Sequence, residues 1–149
     1  MIGLNPNREN TPSYIDTAIS AGYEVEVDIN YLNGKFYLGH DTPDYEITIT
    51  WMDKRKSNIW FHCKNLESAS HLGLLEGFKF FCHTSDDFVL TSTNHVWVHD
   101  LSTNIGDRSI IPLLSDEEVI NYNGNIPYAI CTDYISLAEY DLKQKGIYK

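Results

Sequence analysis

Short apolar stretches recur along the chain, and most have the length of a single β-strand. Between several of them the apolar positions change to helical spacing, and Ser115 with Glu117 and Glu118 is typical of a helix N-cap and its acidic first turn. Alternating strands and helices predict a parallel sheet. The strand-length stretches are residues 58–64, 79–83, 95–100, 109–114 and 128–133, and the helical segments are residues 66–76, 115–121 and 136–145.

The N-terminal third of the chain predicts a helix followed by two strands. The helix begins after Pro12 and stops at Gly22, and Asn33-Gly34 is a turn between the two strands. The predicted elements are the helix at residues 14–22, the strands at residues 23–29 and 35–41, and an extended rim segment at residues 45–50.

Seven strand candidates and their helical connections predict a parallel β/α barrel of the TIM type, with residues 1–149 as one domain. A plain hairpin at Asn33-Gly34 would carry His40 away from Asp28, so the barrel requires the chain to double back within residues 30–34. In such a barrel the carboxyl ends of all the strands share one rim, and the active sites lie at that rim. The histidines that close predicted strands are His40, His62, His83 and His99.

Composition narrows the range of partners. The chain is 42% hydrophobic and carries 11 basic against 21 acidic residues, a net charge of -10 that repels nucleic-acid phosphates and anionic membrane surfaces. A cation is the more natural partner. No stretch approaches the roughly 20 apolar residues of a membrane span, and the N-terminus has no export signal pattern. Cys63, Cys82 and Cys131 lie in largely apolar runs, which predicts reduced core thiols in a cytoplasmic protein.

Two acidic residues give the strongest local signal for chemistry. Glu26 and Asp28 alternate along one strand, so both carboxylates project to the same face, where they can bind a hard divalent cation. The bare motif also fits the solvent face of a half-buried strand, where acidic residues are ordinary.

Basic residues close the neighbouring strands. His40 can transfer a proton near neutral pH with Asp41 orienting its ring, or it is simply a histidine at a strand end. His62 can bind a metal or a phosphate oxygen, and Lys64 can balance phosphate charge, although such residues also occur at ordinary strand ends.

The order and spacing of these motifs resemble the glycerophosphodiester phosphodiesterase family, within the wider phospholipase C-like barrel group. The resemblance is sharpest over residues 8–64 and implies a metal-dependent hydrolase that cleaves a small glycerophosphodiester to an alcohol and glycerol phosphate. The motifs that carry it are Arg8-Glu9-Asn10-Thr11, Glu26-x-Asp28, Gly39-His40-Asp41 and His62-x-Lys64.

The resemblance also implies a role for each matching residue. Mg²⁺ or Ca²⁺ would be held by Glu26 and Asp28 with Glu9 close by, and His40 would be the general acid toward the leaving alcohol. Lys64 would stabilise charge on the phosphate oxygens, with Arg8 as a further phosphate contact. His62 stands where the family usually has a carboxylate ligand, and imidazole favours Mn²⁺ or Zn²⁺.

One family element has no counterpart in this sequence. The family's first strand ends in His-Arg-Gly, whereas only MIGLNPN precedes Arg8. We therefore expect a truncated barrel, or a gapped one covered by the N-terminal segment or another chain, with self-association through its open edges. The alternative function is a barrel that binds a phosphate ligand or a metal without turnover.

Overall fold

The computed structural model describes Gly3 and residues 5–147, which divide into two compact units. One unit contains Pro6–Ser85 with Val89–Thr93, and the other contains Asp86–Phe88 and residues 94–147. The helices are α1 (Pro12–Ser20), α2 (Ile49–Asp53), α3 (Leu66–Leu72), α4 (Asp116–Asn121) and α5 (Ile135–Gln144). The strands are β1 (Val25–Leu32), β2 (Lys35–Leu38), β3 (Tyr45–Ile47), β4 (Ile59–Cys63), β5 (Lys79–Phe81), β6 (Phe88–Leu90), β7 (Val96–Val98), β8 (Ser109–Pro112) and β9 (Ala129–Cys131).

A five-stranded mixed sheet with the order β3-β2-β1-β4-β5 forms the centre of the first unit. Strands β1, β4 and β5 run parallel, whereas β2 is antiparallel to both β1 and β3. Asn33 and Gly34 have φ angles of 51° and 82°. Positive φ at both central residues is the requirement of a type I′ turn, whose twist matches that of a two-stranded hairpin. The Asn33-Gly34 turn therefore sets β1 and β2 antiparallel.

The predicted parallel barrel is wrong, because the described part of the chain forms two small sheets of five and four strands. A parallel pair needs a crossover of about a dozen residues or more, and the two-residue turn after β1 cannot supply one. Residues 84–94 contain the short strand β6 instead of a crossover helix. Three further expectations depended on the barrel and are withdrawn with it. They are the gap in the barrel, its open edges, and a shared rim that carries the histidines. Part of the segment expected to cover the gap, residues 1, 2 and 4, lies outside the described residues.

Most of the predicted elements are nevertheless confirmed. The first helix and the five later strand-length stretches form where they were expected. Ser115 caps α4, as the sequence pattern predicted, and the structure shows that it does so in a reciprocal capping box with Glu118. Residues 49–53 differ, because Thr48 accepts a hydrogen bond from the Trp51 amide and starts the helix α2 within the predicted extended segment.

The core of the first unit lies on one face of its sheet. Val27, Ile29 and Phe61 are at most 1% exposed and pack with Ile15 of α1 and Leu72 of α3. Because side chains alternate along a strand, the residues between these core positions project to the opposite face. That opposite face contains the candidate site.

The second unit is built on strands β7, β8 and β9, which run parallel to one another in that order. Its core includes the fully buried residues Ile111, Leu113 and Val119, together with Leu142 of α5. Helices α4 and α5 belong to this unit. Among the residues described in either unit, no helix has the length and apolar character needed to cross a bilayer.

A bidentate ion pair in the first unit gives a pH prediction. Arg55 Nε lies 2.6 Å from Asp16 Oδ1, and Arg55 Nη2 lies 2.9 Å from Asp16 Oδ2, so the pair joins α1 to the segment after α2. The hydrogen bond from Arg55 lowers the pKa of Asp16. A lowered folded-state pKa means that the pair stabilises the fold above the unfolded-state pKa, and that this stability is lost as pH falls through the folded-state pKa.

We expect Asp16→Asn to lower the free energy of unfolding at pH 7 by about 0.5–1 kcal/mol, since water screens the half-exposed carboxylate. Urea titrations should show this difference shrinking to nothing as pH falls below the usual carboxylate range. Asp53→Asn is the control, because Asp53 forms an exposed surface pair with Lys56. If the difference in unfolding free energy between Asp16→Asn and the unaltered protein stayed constant with pH, the ionised Asp16 carboxylate would not be its source.

Candidate metal centre

Two neighbouring parallel strands bring the candidate ligands together. Glu26 and Asp28 share one face of β1, and the register of β1 with β4 places His62 directly beside Asp28. One ligand atom from each of Glu26, Asp28 and His62 lies within 4.8 Å of the other two. The sheet therefore builds a three-residue donor cluster from residues that the sequence had singled out.

The cluster leaves two carboxylate oxygens without hydrogen bonds. His62 Nδ1 lies 3.1 Å from Asp28 Oδ1 and 3.4 Å from Glu26 Oε1, and Lys64 Nζ lies 3.4 Å from Asp28 Oδ1. None of these contacts has the alignment of a hydrogen bond, so both buried oxygens lack a hydrogen-bond partner among the described residues. Buried polar atoms are normally satisfied, and a cation bound between the two oxygens would satisfy both.

The donor set fits a divalent cation. Two carboxylates and one imidazole converge, and the side chains of Asp28 and His62 are only 6% and 14% exposed. Mixed oxygen and nitrogen donors suit Mn²⁺ or Zn²⁺ better than Mg²⁺ or Ca²⁺, which prefer oxygen alone. Glu26, Asp28 and His62 are thus the residues that would hold the ion.

The charges of the cluster are strongly coupled. Burial raises the pKa of Glu26, and the neighbouring charge of Asp28 adds to the increase. Burial also opposes ionisation of Asp28, but contacts with His62, His40 and Lys64 outweigh it and hold the pKa of Asp28 well below its usual range. For His62 burial favours the neutral ring, yet the contacts with Asp28 and Glu26 prevail and raise its pKa to about 9. In the ion-free protein a protonated His62 therefore balances the charge of Asp28 at neutral pH, and the ring has to lose this proton to bind a metal.

His40 joins the cluster through the hairpin. The expectation that an antiparallel hairpin would carry His40 away from Asp28 is wrong, because Ile29 pairs with Leu38 and brings the chain back to Asp28. The Gly39 amide donates to the Asp28 carbonyl oxygen at 3.1 Å, and His40 Nδ1 lies 3.0 Å from Asp28 Oδ2. The His40 side chain is 56% exposed, so its ring is anchored on one side and accessible on the other.

Asn10 is a site residue to which the sequence reading gave no role. Its side-chain amide donates to Asp28 Oδ2 at 3.2 Å, and its side-chain oxygen accepts from the Asp28 amide at 3.0 Å. Asn10 adopts a φ of 55°, a left-handed conformation that asparagine tolerates better than most residues. This two-way contact fixes the Asp28 carboxylate between the donor cluster and His40. The signals in the sequence were its place in the Arg8-Glu9-Asn10-Thr11 motif and its position before Thr11-Pro12 at a helix start.

Arg8 and Glu9 are placed differently from the other candidates. The Arg8 guanidinium lies over the Tyr14 ring, 4.5 Å from its centroid. Glu9 is exposed in the turn before α1 and is not one of the three residues whose ligand atoms converge. The structure thus groups His40, His62 and Lys64 with the two acidic residues of β1.

Comparisons with protein-family models, with curated proteins and with solved structures found no match to this chain. Inferences about function therefore rest on two sources. One is the geometry of the cluster, and the other is the order of the motifs along the sequence.

Proposed function

We propose that this chain is a metal-dependent phosphodiester hydrolase that cleaves a small glycerophosphodiester to an alcohol and glycerol phosphate. The proposal is carried by one observation: a converging donor cluster, in which two buried carboxylate oxygens accept no hydrogen bond from the described residues, lies directly beside His40 and Lys64. Two basic side chains beside a cation site suit an anionic substrate in a protein whose net charge is -10. The resemblance of the motif order to glycerophosphodiester phosphodiesterases supports the same class of reaction.

Each side chain has a defined task in this reaction. A divalent ion held by the cluster would neutralise the diester and polarise the phosphorus centre. Lys64 binds a phosphate oxygen and stabilises the charge that builds up there in the transition state. Water attacks the phosphorus as the P–O bond to the alcohol breaks, and His40 donates a proton from its accessible ring nitrogen, Nε2, to the departing alcohol oxygen while its Nδ1 contacts Asp28. Asp28 thus orients the acid and contributes to the ion site.

The first experiment measures binding and turnover with the full chain. Calorimetry with Mn²⁺, Mg²⁺ and Ca²⁺ should give the tightest binding for Mn²⁺, and Glu26→Gln should abolish it. Hydrolysis of bis(p-nitrophenyl) phosphate and glycerophosphocholine should depend on the same ion. Glu46→Gln is the matched control, because Glu46 is an exposed acid on β3 of the same sheet that pairs with Lys35. Absence of ion binding would refute the proposal, and ion and diester binding without turnover would favour the non-catalytic alternative.

The role of His40 predicts a dependence on the leaving group. With glycerophosphocholine, whose alcohol leaves poorly, His40→Gln should lower kcat by about 10²-fold or more. The loss should be much smaller with bis(p-nitrophenyl) phosphate, because nitrophenolate departs without protonation. Steady-state kinetics on both substrates, with Mn²⁺ affinity measured in parallel, test this difference. Equal losses on the two substrates would exclude His40 as the acid.

A further inference from the structure

Two cysteines lie side by side at the ends of β4 and β5. These parallel strands pair Phe61 with Phe80 and His62 with Phe81, so Cys63 and Cys82 are the next residues in register. The His62 and Phe81 rings stack on one face of the sheet with centroids 4.7 Å apart. Alternation then places the two thiols on the opposite face, at adjacent positions of the two strands.

The two thiols have contrasting environments. Cys63 is 5% exposed and contacts Ser68 of α3, whereas Cys82 is exposed at the end of its strand. Neighbouring strands lie about 4.8 Å apart. That spacing falls within the separation of about 4.4–6.8 Å that a disulfide requires between Cα atoms. One sulfur is therefore accessible to an oxidant from solvent, and the second is adjacent to it and shielded.

We propose that Cys63 and Cys82 are a redox-active pair that forms a reversible intramolecular disulfide on reaction with a hydroperoxide. The Cys82 sulfur attacks the terminal peroxide oxygen, the O–O bond breaks, and the products are a sulfenic acid and an alcohol, or water when the oxidant is hydrogen peroxide. The Cys63 sulfur then displaces the sulfenic oxygen, forming the S–S bond and releasing water. Two thiols thus lose two electrons and two protons to one peroxide.

Oxidation also affects the metal centre, an effect that rests on the proposed function. Cys63 directly follows His62 on β4, so a bond between the strand ends acts on the residue next to the candidate ligand, and we expect it to move the His62 ring. Displacing the groups that orient a metal ligand typically weakens metal affinity by about 10–100-fold. Disulfide formation should therefore weaken Mn²⁺ binding by about tenfold or more.

The chemistry is tested on the full chain by treating reduced protein with hydrogen peroxide, alkylating under denaturing conditions, and mapping peptides by mass spectrometry. The expected result is a peptide cross-linked between Cys63 and Cys82 whose disulfide is reduced by dithiothreitol. Cys131→Ser should give the same peptide. Cys63→Ser should instead accumulate a sulfenic acid at Cys82 that dimedone traps. If both cysteines remain alkylatable after peroxide, or if only intermolecular disulfides form, the proposal is overturned.

The effect on the site is measured separately, by titrating oxidised and reduced Cys131→Ser protein with Mn²⁺. Weaker binding only after oxidation supports the coupling, and equal binding despite a verified cross-link overturns it. Failure of the reduced protein to bind Mn²⁺ would count against the metal centre alone, because the disulfide is established by peptide mapping.

Discussion

Replacing Asp28 with asparagine is expected to abolish both divalent cation binding and phosphodiester hydrolysis. The two oxygens of this carboxylate contact different groups. Oδ1 faces His62 and Lys64, and Oδ2 contacts His40 and accepts a hydrogen bond from Asn10. An asparagine side chain has no charge and only one oxygen atom. It therefore cannot offer an oxygen both to His62 and Lys64 and to His40 and Asn10. One substitution therefore removes a proposed ion ligand and releases the orientation of His40.

The same change should alter the electrostatics of the ion-free protein. Asp28 is the first of the contacts that raise the pKa of His62 to about 9, so in Asp28→Asn we expect that pKa to fall toward its ordinary value. Proton NMR of the His62 ring measures this shift directly. Breaking a buried ion-pair network at one partner commonly costs several kcal/mol, and we expect a loss of roughly 2–3 kcal/mol in unfolding free energy at neutral pH.

The pH dependence of this loss has a definite sign. The folded-state pKa of Asp28 lies below its unfolded value, so the stabilising contribution is present above the unfolded pKa. It disappears as pH falls through the folded pKa. Asp41→Asn is the matched control, because Asp41 is 93% exposed and lies 3.8 Å from the same His40 ring. Retention of Mn²⁺ affinity by Asp28→Asn, or an equal loss in Asp41→Asn, would contradict the central role of Asp28.

Local patterns in the sequence predicted the polar cluster correctly in part. Strand alternation placed Glu26 and Asp28 on one face, and the structure has both carboxylates there. This prediction succeeded because side-chain alternation depends only on the strand itself. Asn10 could not be recognised in this way, since its contact with Asp28 depends on the left-handed backbone of a loop.

The fold could not be predicted from the same patterns, because they do not fix strand order or direction. Residues 23–29 were predicted as the first strand, whereas β1 extends to Leu32. Because β1 is longer than predicted, Leu38 pairs with Ile29 and the antiparallel hairpin brings His40 back beside Asp28. The barrel had been expected to place these two residues close together. The short strand β6 was not predicted from the sequence.

Gly39→Ala is expected to disrupt the loop that carries His40. Gly39 has a φ of 142°, and an added Cβ would lie 1.9 Å from the Thr42 carbonyl oxygen and 3.1 Å from the Asp44 amide nitrogen. Both obstacles are backbone atoms, so the loop itself has to move. Gly39 also holds the loop to β1, because its carbonyl oxygen accepts a hydrogen bond from the Asn30 side chain at 3.0 Å. A displaced loop cannot keep His40 against Asp28.

The expected loss is about 2 kcal/mol or more in unfolding free energy, together with a fall in kcat of about 10²-fold, since a shift near 1 Å in a catalytic group has an effect of that size. Gly34→Ala separates backbone strain from collision, because Gly34 has a φ of 82° but nothing within 4 Å of an added Cβ. That control should lose about 1 kcal/mol and keep full activity.

Chemical denaturation measures the loss of stability, and turnover of glycerophosphocholine measures the loss of activity. A Gly39→Ala protein as active as Gly34→Ala would show that the position of His40 does not depend on this loop.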